Sequence, residues 1–178
     1  MSILLEPSPA RFFVGLIYNK RSKLRECIDL ACSYFGEIIF ESEEFDFNQT
    51  NYYEKETGQN LKRKFVFFKN LIKRTEIIQR KIITNTIETE FSVNEKRTIN
   101  IDPGYIAPEH LILATGKGYS HRSYLGSGVY ADITLIFENN GFKILEWTYP
   151  DYKSVKIQDM FLRIRKDYLN ELKERNLI

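Results

Sequence analysis

The residues best suited to chemistry in this sequence are His121, Arg122 and Asp132, with Lys117 and Asp102 behind them. Across 129–137 the odd positions are Val, Ala, Ile, Leu and Phe, which reads as an unbroken core face of a strand. Tyr130, Asp132, Thr134 and Ile136 occupy the other face. Gly126-Ser127-Gly128 reads as a hairpin loop, so either His121 or Arg122 lies directly across from Asp132, depending on register. A charge on such a half-apolar face needs a partner. Adding Lys117 and the Asp102-Pro103-Gly104-Tyr105 segment, a turn signal, opposite charges are expected to converge at one end of a sheet. Two meanings stay open. One is a structural salt-bridge network. The other is a small anion held by Lys62, Arg63, Lys117, His121 and Arg122, with Asp102 and Asp132 orienting the cations. Glu54, Glu56, Asp102, His121 and Asp132 are then the candidate acids or bases, and no pattern among them fixes a reaction.

Other chemistries fit less well. Thr115-Gly116-Lys117-Gly118 holds Gly-Lys, but Leu111 and Gly118 stand where a phosphate-cradling P-loop needs a glycine and a hydroxyl. Cys27 and Cys32 have neither metal-site nor disulfide-framework spacing and read as small buried hydrophobes. With two histidines and no paired metal motif, no metal site is expected; Mg²⁺ on Glu54, Glu56, Asp102 and Asp132 is a minor reading, since that ion needs few protein ligands. No Gly-x-Ser-x-Gly elbow marks a hydrolase. An RNA-binding module is the runner-up. Phe65-Val66-Phe67-Phe68 matches the last four positions of the RNA-recognition strand motif, while Leu61-Lys62-Arg63-Lys64 misses the first four. Phe13 and Phe65 would be its stacking platforms and Lys62-Arg63-Lys64 its phosphate contacts. The competing expectation is that the C-terminal half covers those rings.

The elements that must position these residues follow from periodicity. Phe12–Tyr18 is a short apolar run, expected as a central strand buried on both faces. Ser22 caps a helix carrying Leu24, Cys27, Ile28, Ala31 and Phe35 inward, and Gly36 ends it. Strands are expected at Glu37–Glu41, Lys64–Phe68 and Thr98–Ile101, with a helix from an N-cap at Thr75 to Phe91 that turns Ile78, Ile82 and Ile83 inward. The loop from Ser42 to Asn60 is long enough to be functional. This β-α-β-β-α-β order is the ferredoxin-like split unit. Leu111–Ala114 and Tyr119–Leu125 continue it as strands. Asn140-Gly141 then joins Val129–Glu138 to Phe142–Thr148, setting Trp147 opposite Thr134 and Leu145 opposite Ile136. A last helix, capped by Ser154 or Asp151, carries Ile157, Met160, Phe161, Ile164, Tyr168 and Leu172 on one stripe. The expected fold class is α+β: a ferredoxin-like half extended by C-terminal antiparallel hairpins and a final helix, in a single domain 1–178 with residues 1–10 as an N-terminal extension.

The 178 residues suit one domain, and 43% hydrophobic with 28% charged residues excludes a largely disordered chain. A net charge of +2 argues against bulk attraction to nucleic acid but permits a local patch. No leader pattern opens the chain, the run Phe12–Tyr18 is too short to span a membrane, and the two cysteines suit a reducing compartment, so a cytoplasmic location is expected. The aromatic load also suits a non-catalytic, oligomeric interaction protein, with the oligomeric state open.

Several segments then occur in a familiar order. They are Phe13-Val14-Gly15-Leu16, Phe40-Glu41-Ser42-Glu43, Tyr52-Tyr53-Glu54-Lys55-Glu56 and Leu61-Lys62-Arg63-Lys64-Phe65, followed by Asp102-Pro103-Gly104-Tyr105 and Leu113-Ala114-Thr115. His121-Arg122, Tyr124-Leu125-Gly126, Gly128-Val129-Tyr130-Ala131 and Trp147-Thr148-Tyr149-Pro150-Asp151-Tyr152 complete the set. In these the chain resembles the bacterial DUF4416 family, over nearly its whole length. That family is one of unknown function, so the resemblance implies no reaction or ligand. It implies where the recurring polar residues lie: in the 52–63 loop, at Asp102 and in the 117–132 hairpin.

Overall fold

The computed structural model describes residues 3–20, 22–47 and 60–178. Its framework is one sheet in which every recorded strand pair is antiparallel. Strand β1 (Ala10–Tyr18) is buried throughout. Side chains alternate across a strand, so Phe12, Val14, Leu16 and Tyr18 enter one core and Phe13 enters another. β2 (Ile38–Glu41), β3 (Phe45–Asp46) and β4 (Lys62–Ile72) follow, with β4 extending beyond the expected Lys64–Phe68. A two-stranded ribbon, β5 (Ser92–Val93) with β6 (Lys96–Arg97), precedes β7 (Ile99–Ile106), β8 (His110–Thr115), β9 (Arg122–Gly126), β10 (Val129–Glu138) and β11 (Gly141–Ile144). The order across the sheet is β11-β10-β8-β7-β1-β4-β2, with β3 on β4 and β9 on β10. The architecture is α+β, as expected.

Helix α1 (Leu24–Phe35) buries the stripe Cys27, Ile28, Ala31 and Phe35 and ends at Gly36 with φ 93°. Its N-cap position is Lys23; Ser22 donates instead to the Thr98 carbonyl at 2.7 Å. Helix α2 (Ile77–Glu90) follows a short 3-10 turn at Arg74–Glu76, so Thr75 is not its N-cap. Its buried stripe is Ile77, Lys81, Thr84, Ile87 and Glu88; Ile78 and Ile83 pack partly buried against the core as expected, while Ile82 faces solvent, against expectation. Helix α3 (Val155–Glu174) starts after Ser154 and buries all six expected side chains. Their burial is worth on the order of 10 kcal/mol at about 2 kcal/mol each. α1 and α2 cover one face of the sheet and α3 the other. Phe161 of α3 meets Phe13 and Phe65 edge-on, each at 5.1 Å. The stacking platform of the RNA-binding reading is therefore not exposed: both rings are fully buried.

Three local departures shape the site. Asp102-Pro103-Gly104-Tyr105 is a stretch of β7 and not a turn. Asn139-Asn140, both with positive φ, make the β10–β11 turn in place of Asn140-Gly141. Leu135 therefore pairs with Ile144, and Trp147 lies beyond β11 with its indole Nε1 donating to the Ile133 carbonyl at 2.8 Å. Finally, a bulge between Ile133 and Leu135 breaks the expected core face of β10. Ile133 turns outward, while Asp132 and Thr134 are fully buried. A bulge re-aims side chains in this way by adding one residue to one strand of a pair.

Candidate functional site

The sheet is forked. β7 and β8 pair only through Gly104–Ile106 against Leu111–Leu113. Meanwhile β7 continues along β1 back to Ile99, and β8 continues along β10 to Thr115. Pro103 lies at the parting point, where a residue without an N–H is tolerated because pairing ends. Gly104 closes the base of the fork: a Cβ there would sit 2.6 Å from the Ile112 carbonyl oxygen and 2.7 Å from the Phe13 ring. Into the gap opens a cavity of about 670 Å³. α2 contributes Lys81 and Glu88, β6 Arg97, β7 Asn100 and Asp102, and β4 Arg63. Lys117, Arg122 and Asp132 come from the region of the 117–132 hairpin, and Tyr149 and Asp151 from the segment before α3.

Arg63 is the buried centre of one network. Its guanidinium lies over Gly15, where even a Cβ would stand 3.1 Å from Cζ. It donates to Asp102 Oδ2 at 2.8 Å and to the Tyr152 hydroxyl at 3.1 Å, and Nε stands 3.1 Å from Asp151 Oδ2. Asp102 also accepts from Asn100 at 2.8 Å. Burial pushes the Asp102 carboxyl up, but Arg63 and Lys81 outweigh it and hold it below its usual value. Burial pushes the Asp151 carboxyl up, and there Arg63 does not compensate fully.

Arg122 centres the second network. It lies directly across from Asp132, which settles the register between the two alternatives. Its Nε donates to Asp132 Oδ2 at 2.8 Å, and its terminal nitrogens donate to the Lys117 carbonyl at 2.9 Å and the Tyr149 hydroxyl at 2.8 Å. Burial raises the Tyr149 hydroxyl, with Arg122 opposing. His121 is beside this network and does not line the cavity: Nε2 is 3.5 Å from Asp132 Oδ2, and the ring stacks on Trp147 at 4.8 Å.

A third group comes from α2. Glu88 accepts from the Ile101 amide at 2.6 Å and from Arg97 at 3.4 Å, and burial raises its carboxyl against the pull of Lys81. Lys81 is buried, and among the described residues its one hydrogen bond is a 3.4 Å contact to the Ile101 carbonyl. An ammonium has three donors.

Of the expected contacts, Arg63, Lys117, Arg122, Asp102 and Asp132 therefore share one cavity. Lys62 does not line it and pairs with Asp46 at 2.6 Å; Lys64 pairs with Glu41 at 3.5 Å, so the basic cluster is split by strand alternation. Glu54 and Glu56 lie outside the described residues. Among the described residues no group of three or more His, Cys, Asp or Glu is placed to hold a metal ion. Sequence reasoning missed Lys81, Glu88, Arg97 and Asn100 and gave Asp151 no part in the site, only that of an alternative cap for the last helix. The signal was present in α2: polar residues at 81, 84 and 88 fall on one helical stripe.

Fold and site together define an α+β protein on one antiparallel sheet, with a charged cleft where two strands part. A family model described as a domain of unknown function, DUF4416, matches residues 8–168, and the chain belongs to that family. Searches of curated proteins and of solved structures found no match. No helix among the described residues is long and apolar enough to cross a membrane.

Proposed function

We propose that the cleft binds a small ligand bearing an anionic group, of the kind carried by nucleotides and other phosphate esters. The observation that carries this reading is Lys81: a buried ammonium on the cavity wall whose only hydrogen bond among the described residues is long. Glu88 and Asp102 balance its charge electrostatically, but neither makes an ion pair with it among the described residues, so its ammonium keeps donors for a ligand anion, whereas Arg63 and Arg122 are directly paired with carboxylates and act as the rigid frame. The cavity volume suits a small molecule. Differential scanning fluorimetry with inorganic phosphate, ribose 5-phosphate and ADP tests it. Saturating ligand is expected to add about 2–3 kcal/mol by mass action, or about 5–10 °C in Tm for a chain of this size. Lys81→Met should abolish the shift. No shift with any of the three probes, for wild type and Lys81→Met alike, would refute the reading.

The strand order β7-β1-β4-β2, with α1 and α2 on one face, supports reading the N-terminal half as a ferredoxin-like split unit to which β8–β11 and α3 are added. The free Cys27 and Cys32 support a reducing, cytoplasmic location.

A further inference from the structure

The cavity is far larger than a phosphate group, so an anion at Lys81 leaves most of it for the rest of a ligand. Asp151 is the second conspicuous group on its wall. The residue is 4% exposed, yet among the described residues Oδ2 has no hydrogen-bond partner. Arg63 Nε, 3.1 Å away, does not supply one: its N–H is misaligned, and that nitrogen is itself without an acceptor. The Nη1 and Nη2 groups of Arg63 donate elsewhere, to Asp102 and to Tyr152. The backbone amides of Asp151 and Tyr152 act on the same carboxyl, and Asp102 stands near it as a like charge. A buried acceptor with an ion-pair neighbour but no aligned donor, on the wall of a cavity that also holds an ammonium with donors to spare, describes a binding site with two poles.

We infer that the cleft selects phosphate esters that also carry a hydroxyl group, the anionic end at Lys81 and the hydroxyl donating to Asp151 Oδ2. This rests on the anion-binding reading above. A neutral hydroxyl fits better than an amine because Arg63, pressed against Asp151, repels a second cation. A site built to accept from a hydroxyl rejects the analogue lacking it, since its own polar group is then left buried and unpaired.

Isothermal titration calorimetry separates the two claims. The probes are inorganic phosphate, propyl phosphate, glycerol 3-phosphate and ribose 5-phosphate, titrated into wild type and Asp151→Asn. On wild type, the two hydroxylated esters are expected to bind about tenfold more tightly than propyl phosphate. In Asp151→Asn that preference should shrink to about twofold, because an amide oxygen accepts less strongly than a carboxylate. Equal Kd values for propyl phosphate and the hydroxylated esters on wild type would overturn this inference without any need for the variant. A preference that survives Asp151→Asn overturns the role of Asp151. In both cases phosphate binding itself would leave the anion-binding reading standing, whereas failure of every probe to bind removes both.

Discussion

At the scale of single residues, two carboxylates share one guanidinium and are driven in opposite directions. Asp102 makes the aligned 2.8 Å bond to Arg63 and is held below its usual value; Asp151 makes the misaligned contact and is pushed up. A depressed carboxyl contributes stability that is present above its unfolded pKa and lost as pH falls through the folded one. A raised carboxyl does the reverse: its contribution is full below the unfolded pKa and disappears as pH rises through the folded value. Asp102→Asn should therefore lower stability near neutral pH by about 3 kcal/mol for breaking a buried pair, and Tm with it, with the deficit shrinking as pH falls toward the acid range. Asp151→Asn should leave Tm unchanged or higher near neutral pH, and wild type should gain on it as the solution is acidified. Thermal melts of both variants from about pH 4 to pH 8 check the pair. Equal losses at neutral pH would make Asp151 a structural partner of Arg63 and nothing more.

At the scale of elements, the fork decides whether there is a cleft. β7 and β8 approach closely at Gly104, and backbone oxygen cannot move aside as a flexible side chain does. Gly104→Ala is expected to destabilise by about 2–3 kcal/mol through overpacking, lowering Tm by roughly 5–10 °C and weakening the phosphate-induced shift. A variant with wild-type Tm would mean that the strands part without strain. The same fork explains what was legible beforehand. α3 and α1 were readable because their inward stripes are apolar and periodic; β1 was readable because both its faces are core. α2 was readable only in part: Ile78 and Ile83 do pack against the core, but the inward stripe also brings Lys81 and Glu88 to the cleft wall, so hydrophobicity alone wrongly added Ile82. Asp102-Pro103-Gly104 looked like a turn because turn-forming residues are also those a strand tolerates where it loses a neighbour. The register of β10 was beyond reach because a bulge leaves no mark in alternation until partner strands are known. The convergence of Lys117, Arg122, Asp102 and Asp132 was nonetheless readable, since cross-strand pairing brings opposite charges together whichever of two registers holds.

At the scale of the whole molecule, the cleft is the product of both layers that cover the sheet. α2 brings Lys81 from one side; from the other, α3 fixes the segment 149–152 through a chain of rings. Phe161 packs on Phe13, Phe65 and Phe67 and stacks on Tyr152 at 5.8 Å. Tyr152 in turn accepts from Arg63, and Arg63 holds Asp102. Helix packing and site geometry are therefore coupled through one hydroxyl. Phe161→Ala should remove about 3–5 kcal/mol of stability by leaving a cavity among rings that cannot all collapse. It should also loosen Tyr152 and Arg63, so inorganic phosphate binds several-fold more weakly even at temperatures where the variant is fully folded by circular dichroism. Tyr152→Phe isolates the second effect: it keeps the ring and removes only the hydroxyl, so its cost should be about 1 kcal/mol with the same direction of change in phosphate affinity. Wild-type phosphate affinity in both variants, measured by calorimetry well below their melting temperatures, would show that the cleft stands without α3 and that the ring chain only holds the layers together.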